Sequence, residues 1–327
     1  MTAIIGGKYK SHPNSNGGAE QLAQKLVEVV DQDLLKHFNI VCSPNSPAQN
    51  WLHSDKIRIY WCHNPLQFNK MHLEDYHRYV FISHYHLNKV AKKRKIPSEK
   101  IKVILNAIEP IRSFTPKPSV QEGIRFIHHV HPRKALHVLL PAFDKLTKKY
   151  DNVHLEVYGT VDLYGWREDE REYEEVFKII DNNPRIINRG TVERDLLEVA
   201  LNDSHVFVHP ANEIELSCLS LMEAMSAGCV CLHSSNGAMY ETAANWTQMY
   251  QYTENEELHI DRLYNEMIKV VDNIEELLYT TNEAQEYVSR FYNWKERAVD
   301  WNTFLEDTLN EIEDTSIRRG VKKWQRS

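Results

Sequence analysis

No stretch of this chain stays apolar for the length of a membrane span, and its cysteines are too few and too unevenly placed to form a framework. The first absence predicts a soluble protein. The five cysteines, Cys42, Cys62, Cys218, Cys229 and Cys231, are odd in number and include no C-x-x-C pair. That pattern excludes a disulfide scaffold and a zinc finger and predicts reduced thiols in the core of a cytoplasmic protein. The opening Met1-Thr2-Ala3-Ile4-Ile5-Gly6-Gly7 has neither a basic leader nor a long apolar stretch, so no secretory signal is read there. The sequons at Asn202 and Asn245 are accordingly expected to be unused.

Positive charge is also in short supply. Lysine and arginine number 39 against 46 acidic residues, for a net charge of -7. A nucleic-acid binder rests on clustered cations, and that class is set aside. The one basic run, Lys89, Lys92, Lys93, Arg94 and Lys95, reads as a solvated helix end, with weak peripheral contact at an anionic membrane as the minority alternative. Neither G-x-G-x-x-G nor G-x-x-x-x-G-K-[ST] occurs, which weakens a dinucleotide enzyme or an NTPase. The sole D-x-D, Asp31-Gln32-Asp33, sits on the polar tail of a predicted helix rather than after a strand. His84, His86, His128, His129 and His131 lack the carboxylate spacing of a zinc site, so no metal is expected.

What is present is ordinary globular material, with 42% apolar, 10% aromatic and 26% charged residues. A length of 327 residues favours two cores. In the first half, short apolar runs at Ala3–Ile5, Ile40–Cys42, Ile57–Trp61, Tyr79–Ile82 and Lys102–Leu105 alternate with helical patterns, the mark of a parallel sheet covered by helices. The first of these strands leads through the turn Asn14-Ser15-Asn16-Gly17-Gly18 into a helix carrying Leu22, Leu26, Val29 and Val30. A second alternating series runs through Ile124–Ile127, His154–Gly159, Val206–Val208 and Val230–Leu232, and beyond about residue 258 the pattern is helical. The expected domains are 1–111, a Pro116- and Pro118-bearing linker over 112–122, a second doubly wound domain over 123–290, and closing helices over 291–327.

The stretch from His209 to Gly228 is the most informative. It follows an apolar strand, and Gly228 supplies a helix stop. A helix starting near Ser217 would aim free backbone N–H groups and the positive end of its dipole at an anion such as a diphosphate. Glu223 would then lie about 9 Å along the axis, within reach of ribose hydroxyls, and Glu215 would precede the helix on the sugar side. The competing view is an amphipathic helix with incidental glutamates. Against it, Glu223 stands among Leu221, Met222, Ala224 and Met225, where an unpaired carboxylate is costly.

Glu215 and Glu223, with seven residues between them and followed by Ala-Met-x-Ala-Gly, resemble the signature of glycosyltransferase family 4. The resemblance extends along most of the chain. Gly17-Gly18-Ala19-Glu20 is similar to the family's first-strand glycine loop, and Asn106-Ala107-Ile108 to the Asn-Gly-Val that closes its first domain. Gly190-Thr191-Val192 and the residues up to Pro210 resemble its base-binding region, and Phe291–Trp294 with Trp301 its returning C-terminal helix. His63, in Cys62-His63-Asn64-Pro65, stands where the family histidine faces the donor sugar. Three departures are visible: Leu216-Ser217-Cys218 replaces Gly-Phe-Gly, Lys134-Ala135 replaces Lys-Gly, and His129 replaces an arginine for which Arg133 is the alternative.

The resemblance implies a GT-B fold of two Rossmann-like domains facing a central cleft. It also implies a retaining transfer of a hexose-type sugar from a nucleotide diphosphate, UDP favoured over GDP, to a sugar, glycan or lipid-linked acceptor without a metal cofactor. His63, Arg133, Lys134 and Glu215 are the implied catalytic set. Gly17, Gly18, Gly159, Thr191, Val192, Ser217, Cys218, Leu219 and Glu223 are the implied donor-binding set. Two rival readings remain, a GT-B epimerase or hydrolase of sugar nucleotides and a binding subunit without turnover.

Overall fold

The computed structural model describes residues 2–11, 17–43, 55–64, 73–111, 116–131, 134–159 and 174–324. The chain separates into two compact units, Met1–Ala107 together with Trp294–Ser327, and Ile108–Asn293. The divisions fall at 107/108 and 293/294, a few residues from the 111 and 290 read off the sequence.

The first unit contains β1 (Thr2–Ile5), β2 (Lys8–Lys10), α1 (Gly18–Val29), α2 (Gln32–Leu35), β3 (Phe38–Ser43), β4 (Ile57–Cys62), β5 (Arg78–Phe81), α3 (His84–Arg94) and β6 (Ile101–Val103). Its sheet runs β2-β1-β3-β4-β5-β6. The last four strands are parallel, as expected, but β1 is antiparallel to both its neighbours. The reason lies in Gly6 and Gly7, whose φ values of 54° and 82° form a two-residue turn that only glycine enters without strain. The chain therefore reverses at once, and β2 rather than β1 leads toward α1. Asp31 is also placed differently from the reading of a helix tail. It caps α2, accepting from the backbone N–H groups of Asp33 and Leu34, and is exposed.

A buried aromatic group, Tyr60, Tyr76, Tyr79 and Phe81, fills this unit's core. Against Trp61, on the other face of β4 from Tyr60, closes α12 (Trp294–Trp324), whose Trp301 meets it edge to face at 4.9 Å between ring centroids. Asn302 accepts from the Asp31 backbone N–H, and Arg78 pairs with Glu311, so the C-terminal helix is part of the first unit by packing and by polar contacts. The basic run ends α3. Lys89, Lys93 and Lys95 are exposed, and Lys95 closes the helix with φ 52°.

The second unit contains β7 (Ile124–His128), α4 (Leu136–Lys149), β8 (Val153–Tyr158), α5 (Glu174–Asn182), β9 (Ile186–Gly190), α6 (Arg194–Asp203), β10 (Val206–His209), α7 (Leu219–Ser226), β11 (Val230–Ser234), α8 (Met239–Ala243), β12 (Gln248–Tyr250), α9 (Glu256–Asp272), α10 (Ile274–Tyr279) and α11 (Thr281–Phe291). Every strand pair is parallel, in the order β12-β11-β10-β7-β8-β9. Counted within this unit the order is 3-2-1-4-5-6 read from the β9 edge, that of a doubly wound dinucleotide-type sheet. The central strands β10 and β11 are buried along their whole length, as expected of strands covered on both faces. Phe126, Phe143, Leu155 and Val208 lie in one continuous core with Leu263 and Met267 of α9. Among the described residues no helix is long and apolar enough to cross a membrane.

Trp301 is 1% exposed and Val299, on the same helix, 59%. Trp301→Ala is expected to cost about 3–5 kcal/mol of stability and Val299→Ala less than about 0.5 kcal/mol, as read by urea denaturation. Equal losses would mean that α12 does not anchor the first unit through its tryptophan face.

Candidate active site

In a sheet of this order the sequence of strands switches sides between β7 and β10, and the loops leaving these two strands meet at the carboxyl edge, where doubly wound sheets bind ligands. Both loops carry charge. Lys134 follows β7 and Glu215 follows β10, and the Lys134 Nζ donates to Glu215 Oε1 at 2.8 Å. The loops are also joined through the backbone, the Asn212 N–H donating to the Lys134 carbonyl at 3.0 Å. His209, the last residue of β10, places Nε2 3.2 Å from the same Glu215 oxygen. Burial by itself raises the pKa of this carboxyl. The Lys134 charge and the His209 hydrogen bond outweigh it and hold Glu215 at about 2. Burial likewise keeps His209 below the usual imidazole range despite its carboxylate neighbour. At neutral pH the trio is therefore a carboxylate, an ammonium and a neutral imidazole.

Gly237 fixes the backbone of Glu215. It forms a bridge to Glu215, and the next N–H, that of Ala238, donates to the Glu215 carbonyl at 2.6 Å. With φ 76° and space so close that an added Cβ would stand 2.1 Å from that carbonyl oxygen, the position admits only glycine.

Glu223 occupies a second, separate cell. It lies in α7, which begins at Leu219 rather than near Ser217, so it stands in the second turn, about 6 Å from the helix start. The N-cap is Cys218, and no side chain bonds to the first-turn N–H groups. The far end closes in a Schellman arrangement at Gly228, φ 72°, with Gly228 N–H bonded to Met225 and Cys229 N–H to Ala224. The Glu223 Oε2 is 3.3 Å from His129 Nε2, and its Oε1 pairs with Arg194 at the start of α6. Burial opposes ionisation here too, but His129 and Arg194 keep the carboxyl below its ordinary value. The Ser220 hydroxyl donates to the His129 carbonyl at 3.2 Å, tying the first turn of α7 to the loop after β7.

Of the remaining residues read from the sequence, Gly159 ends β8 with φ 107° and donates its N–H to the Gly190 carbonyl at 2.8 Å. Thr191 is exposed and Val192 half-buried in the turn after β9. Ser217 and Leu219, both half-buried, flank the Cys218 cap. In the first unit Gly17 caps α1, its carbonyl accepting from Glu20 and Gln21, and Gly18 opens that helix. His63 follows β4 and packs on Trp61 at 4.7 Å. Its Nε2 is buried with no hydrogen-bond partner among the described residues. Burial, assisted by His86, lowers it to about 3, so it is neutral. Arg133 lies outside the described residues.

Two members of the site went unassigned in the sequence, His209 and Arg194. His209 was legible only as a histidine closing an apolar strand before Pro210, and Arg194 only as one of many charges beginning a helix. His129, read as the replacement of a family arginine, proves to be a partner of Glu223. Among the described residues, the donor atoms of His209, Glu215 and Cys218 are the one His/Cys/Asp/Glu group whose spacing suits a metal, all within 4.8 Å of one another.

An α/β protein with charged groups gathered at the switch point of a doubly wound sheet belongs to a class that binds ligands at that edge. Residues 107–287, more than half of the chain, match the family model of glycosyl transferases group 1, and the chain belongs to that family of enzymes. A comparison with curated protein sequences finds no significant match. Solved structures with the same fold include a glycosyltransferase from Rickettsia africae, 16% identical with a TM-score of 0.66 over 92% of this chain and 84% of that one. Anabaena HepE in complex with UDP-glucose is 16% identical, with a TM-score of 0.63 over 90% and 84% of the two chains. Sucrose-phosphate synthase from Thermosynechococcus elongatus is 14% identical, with a TM-score of 0.63 over 79% and 69%. These likenesses establish the GT-B fold class.

Because the folded-state value of Glu215 is depressed, its pairing stabilises the protein above about pH 4.5 and is lost as the pH falls toward 2. Lys134→Met leaves the carboxylate buried without its cation and should cost about 2–4 kcal/mol at pH 7. The cost should shrink at pH 4, where the unpaired carboxyl takes up a proton. Urea titrations at both pH values check this, and an equal loss at the two would contradict the pairing.

Proposed function

We propose that this chain transfers a hexose-type sugar, with retention at the anomeric carbon, from a nucleotide diphosphate donor held by its second unit. The observation that carries the reading is the order of groups along one sheet edge. Lys134 and Glu215 come first, the uncapped start of α7 next, and Glu223 one turn further on. Sugar, diphosphate and ribose would follow the same order. Lys134 and the α7 N–H groups supply positive charge where the departing diphosphate gains negative charge, and they act without reorganising. Glu215 orients Lys134 and takes hydrogen bonds from sugar hydroxyls, while Glu223 takes them from the ribose. Gly159, Thr191 and Val192 are assigned to the base side, and Ser217, Cys218 and Leu219 to the phosphates. Gly17, Gly18 and His63 are retained from the family 4 resemblance, as is Arg133. HepE and the pneumococcal transferase GtfA, both similar in fold, are bound to UDP-glucose and to UDP with GlcNAc, which favours a UDP donor and a sugar or glycan acceptor here. Turnover needs no metal, since Lys134 and the helix N-terminus stand where a cation would. The basic run of Lys89, Lys92, Lys93, Arg94 and Lys95 is read as a solvated helix end, with weak contact at anionic lipid as the minority alternative.

A hydrolase or epimerase of sugar nucleotides is the second reading. Labelled UDP-sugars separate the two, because only a transferase consumes donor in proportion to added acceptor. The same assay run in EDTA is expected to keep its full rate. Activity lost in the chelator and restored by manganese would overturn the metal-free mechanism.

The two glutamates should fail differently. Glu223→Ala removes a charge-assisted hydrogen bond to the donor and is expected to weaken UDP binding by about 1.5–3 kcal/mol, seen in calorimetry. Glu215→Ala should instead lower kcat, and Lys134→Ala should lower it by about 100-fold, with smaller changes in KM. Unchanged UDP affinity in Glu223→Ala would remove the ribose assignment.

A further inference from the structure

The trio of His209, Glu215 and Cys218 brings an imidazole, a carboxylate and a thiol to one buried point, and the function proposed above employs Glu215 and Cys218 but gives no role to the three together. These three ligand types are those of transition-metal sites, and the thiol selects for soft or borderline ions such as zinc and cobalt(II). The His209 Nε2 and Glu215 Oε1 stand 3.2 Å apart, and all three donor atoms lie within 4.8 Å. A tetrahedral zinc with bonds of about 2.0–2.3 Å needs ligand separations of about 3.5 Å, so closure asks for movements of about 1 Å. Cys218 must lose a proton that burial holds tightly, and its place as the N-cap of α7 sets the resulting thiolate against the positive end of the helix.

The point is held by Lys134, whose ammonium donates to Glu215 Oε1. Lys134 is the exchangeable member, because its side chain is 26% exposed whereas that of Glu215 is 6% and that of His209 is 0%. We propose that His209, Glu215 and Cys218 form a site for a thiophilic divalent ion that displaces Lys134 from Glu215 and thereby opposes binding of the nucleotide-sugar donor. The exchange balances. A divalent ion enters, one thiol proton leaves, and the Lys134 ammonium turns to solvent. The local charge is then zero before and after, a carboxylate with an ammonium giving way to a carboxylate and a thiolate with a dication. The metal is an inhibitor on this view, in keeping with turnover in a chelator. The existence of the site is independent of the functional reading above; the antagonism with donor rests on it.

Cobalt(II) is the probe, added to the full-length reduced protein. One equivalent is expected to give a thiolate-to-cobalt charge-transfer band with tetrahedral d–d absorption, and zinc should bleach both. Cys218→Ser should abolish the charge-transfer band, and His209→Ala and Glu215→Gln should each weaken cobalt binding at least 10-fold. Cys231→Ser, on β11, should leave the spectrum intact, and Lys134→Met should tighten binding by removing the competitor. No band in the wild type, or a band that survives Cys218→Ser, overturns the site whatever the donor proves to be. UDP titrated against the cobalt protein should bind more weakly than to the apoprotein. Equal UDP affinity in the two forms overturns the antagonism, whereas failure of the apoprotein to bind any nucleotide diphosphate speaks against the function proposed above and leaves the spectroscopic result standing.

Discussion

The buried contact between Lys134 and Glu215 is the constraint from which the rest of the site follows. A carboxylate at that depth is costly unless a cation meets it, and the cation comes from a different loop 81 residues earlier in the chain. Only the adjacency of β7 and β10 at the centre of a 3-2-1-4-5-6 sheet makes the meeting possible. The backbone bond from Asn212 to Lys134 and the methyl-excluding contact between Gly237 and Glu215 then hold both partners to the same geometry. A pair so constrained is a poor source of stability and a good source of fixed electrostatic direction, which is what a departing diphosphate requires.

Glu223 makes the point by contrast. It shares α7 with the Cys218 cap but has its own partners, His129 and Arg194, and neither of these touches Glu215 among the described hydrogen bonds. Two carboxylates eight positions apart are therefore held in two electrostatic cells, each ionised against a burial penalty by different cations or donors. Separate cells allow the two carboxylates to be set independently of each other. His129 serves the second cell and bears on how Glu223 is oriented.

The first unit is built on a different principle. Its closing helix α12 is held by packing, above all by the Trp61 and Trp301 rings, and its parallel strands β3 to β6 follow one another without a reversal of order. His63, at the end of β4, rests on that same tryptophan face, which keeps it neutral by dehydration.

Much of this was legible in the residues themselves. Apolar runs such as Val206–Val208 and Val230–Leu232 gave β10 and β11 because strands buried on both faces must be apolar throughout. Gly228 stopped α7 because a left-handed residue ends a helix, and the stretch from His209 to Gly228 marked a strand, loop and helix unit. What could not be read was whatever depends on contacts distant in sequence. The reversal of β1 turns on pairing with Phe38–Ser43, the role of Arg194 on a carboxylate 29 residues away, and that of His209 on a shared oxygen with Lys134. Local sequence determined which segments would be strands, helices and turns, because those choices are settled by side-chain periodicity and backbone freedom. Tertiary structure alone decided which charges meet, because the energy of a buried ion depends on its partners in space and not on its neighbours along the chain.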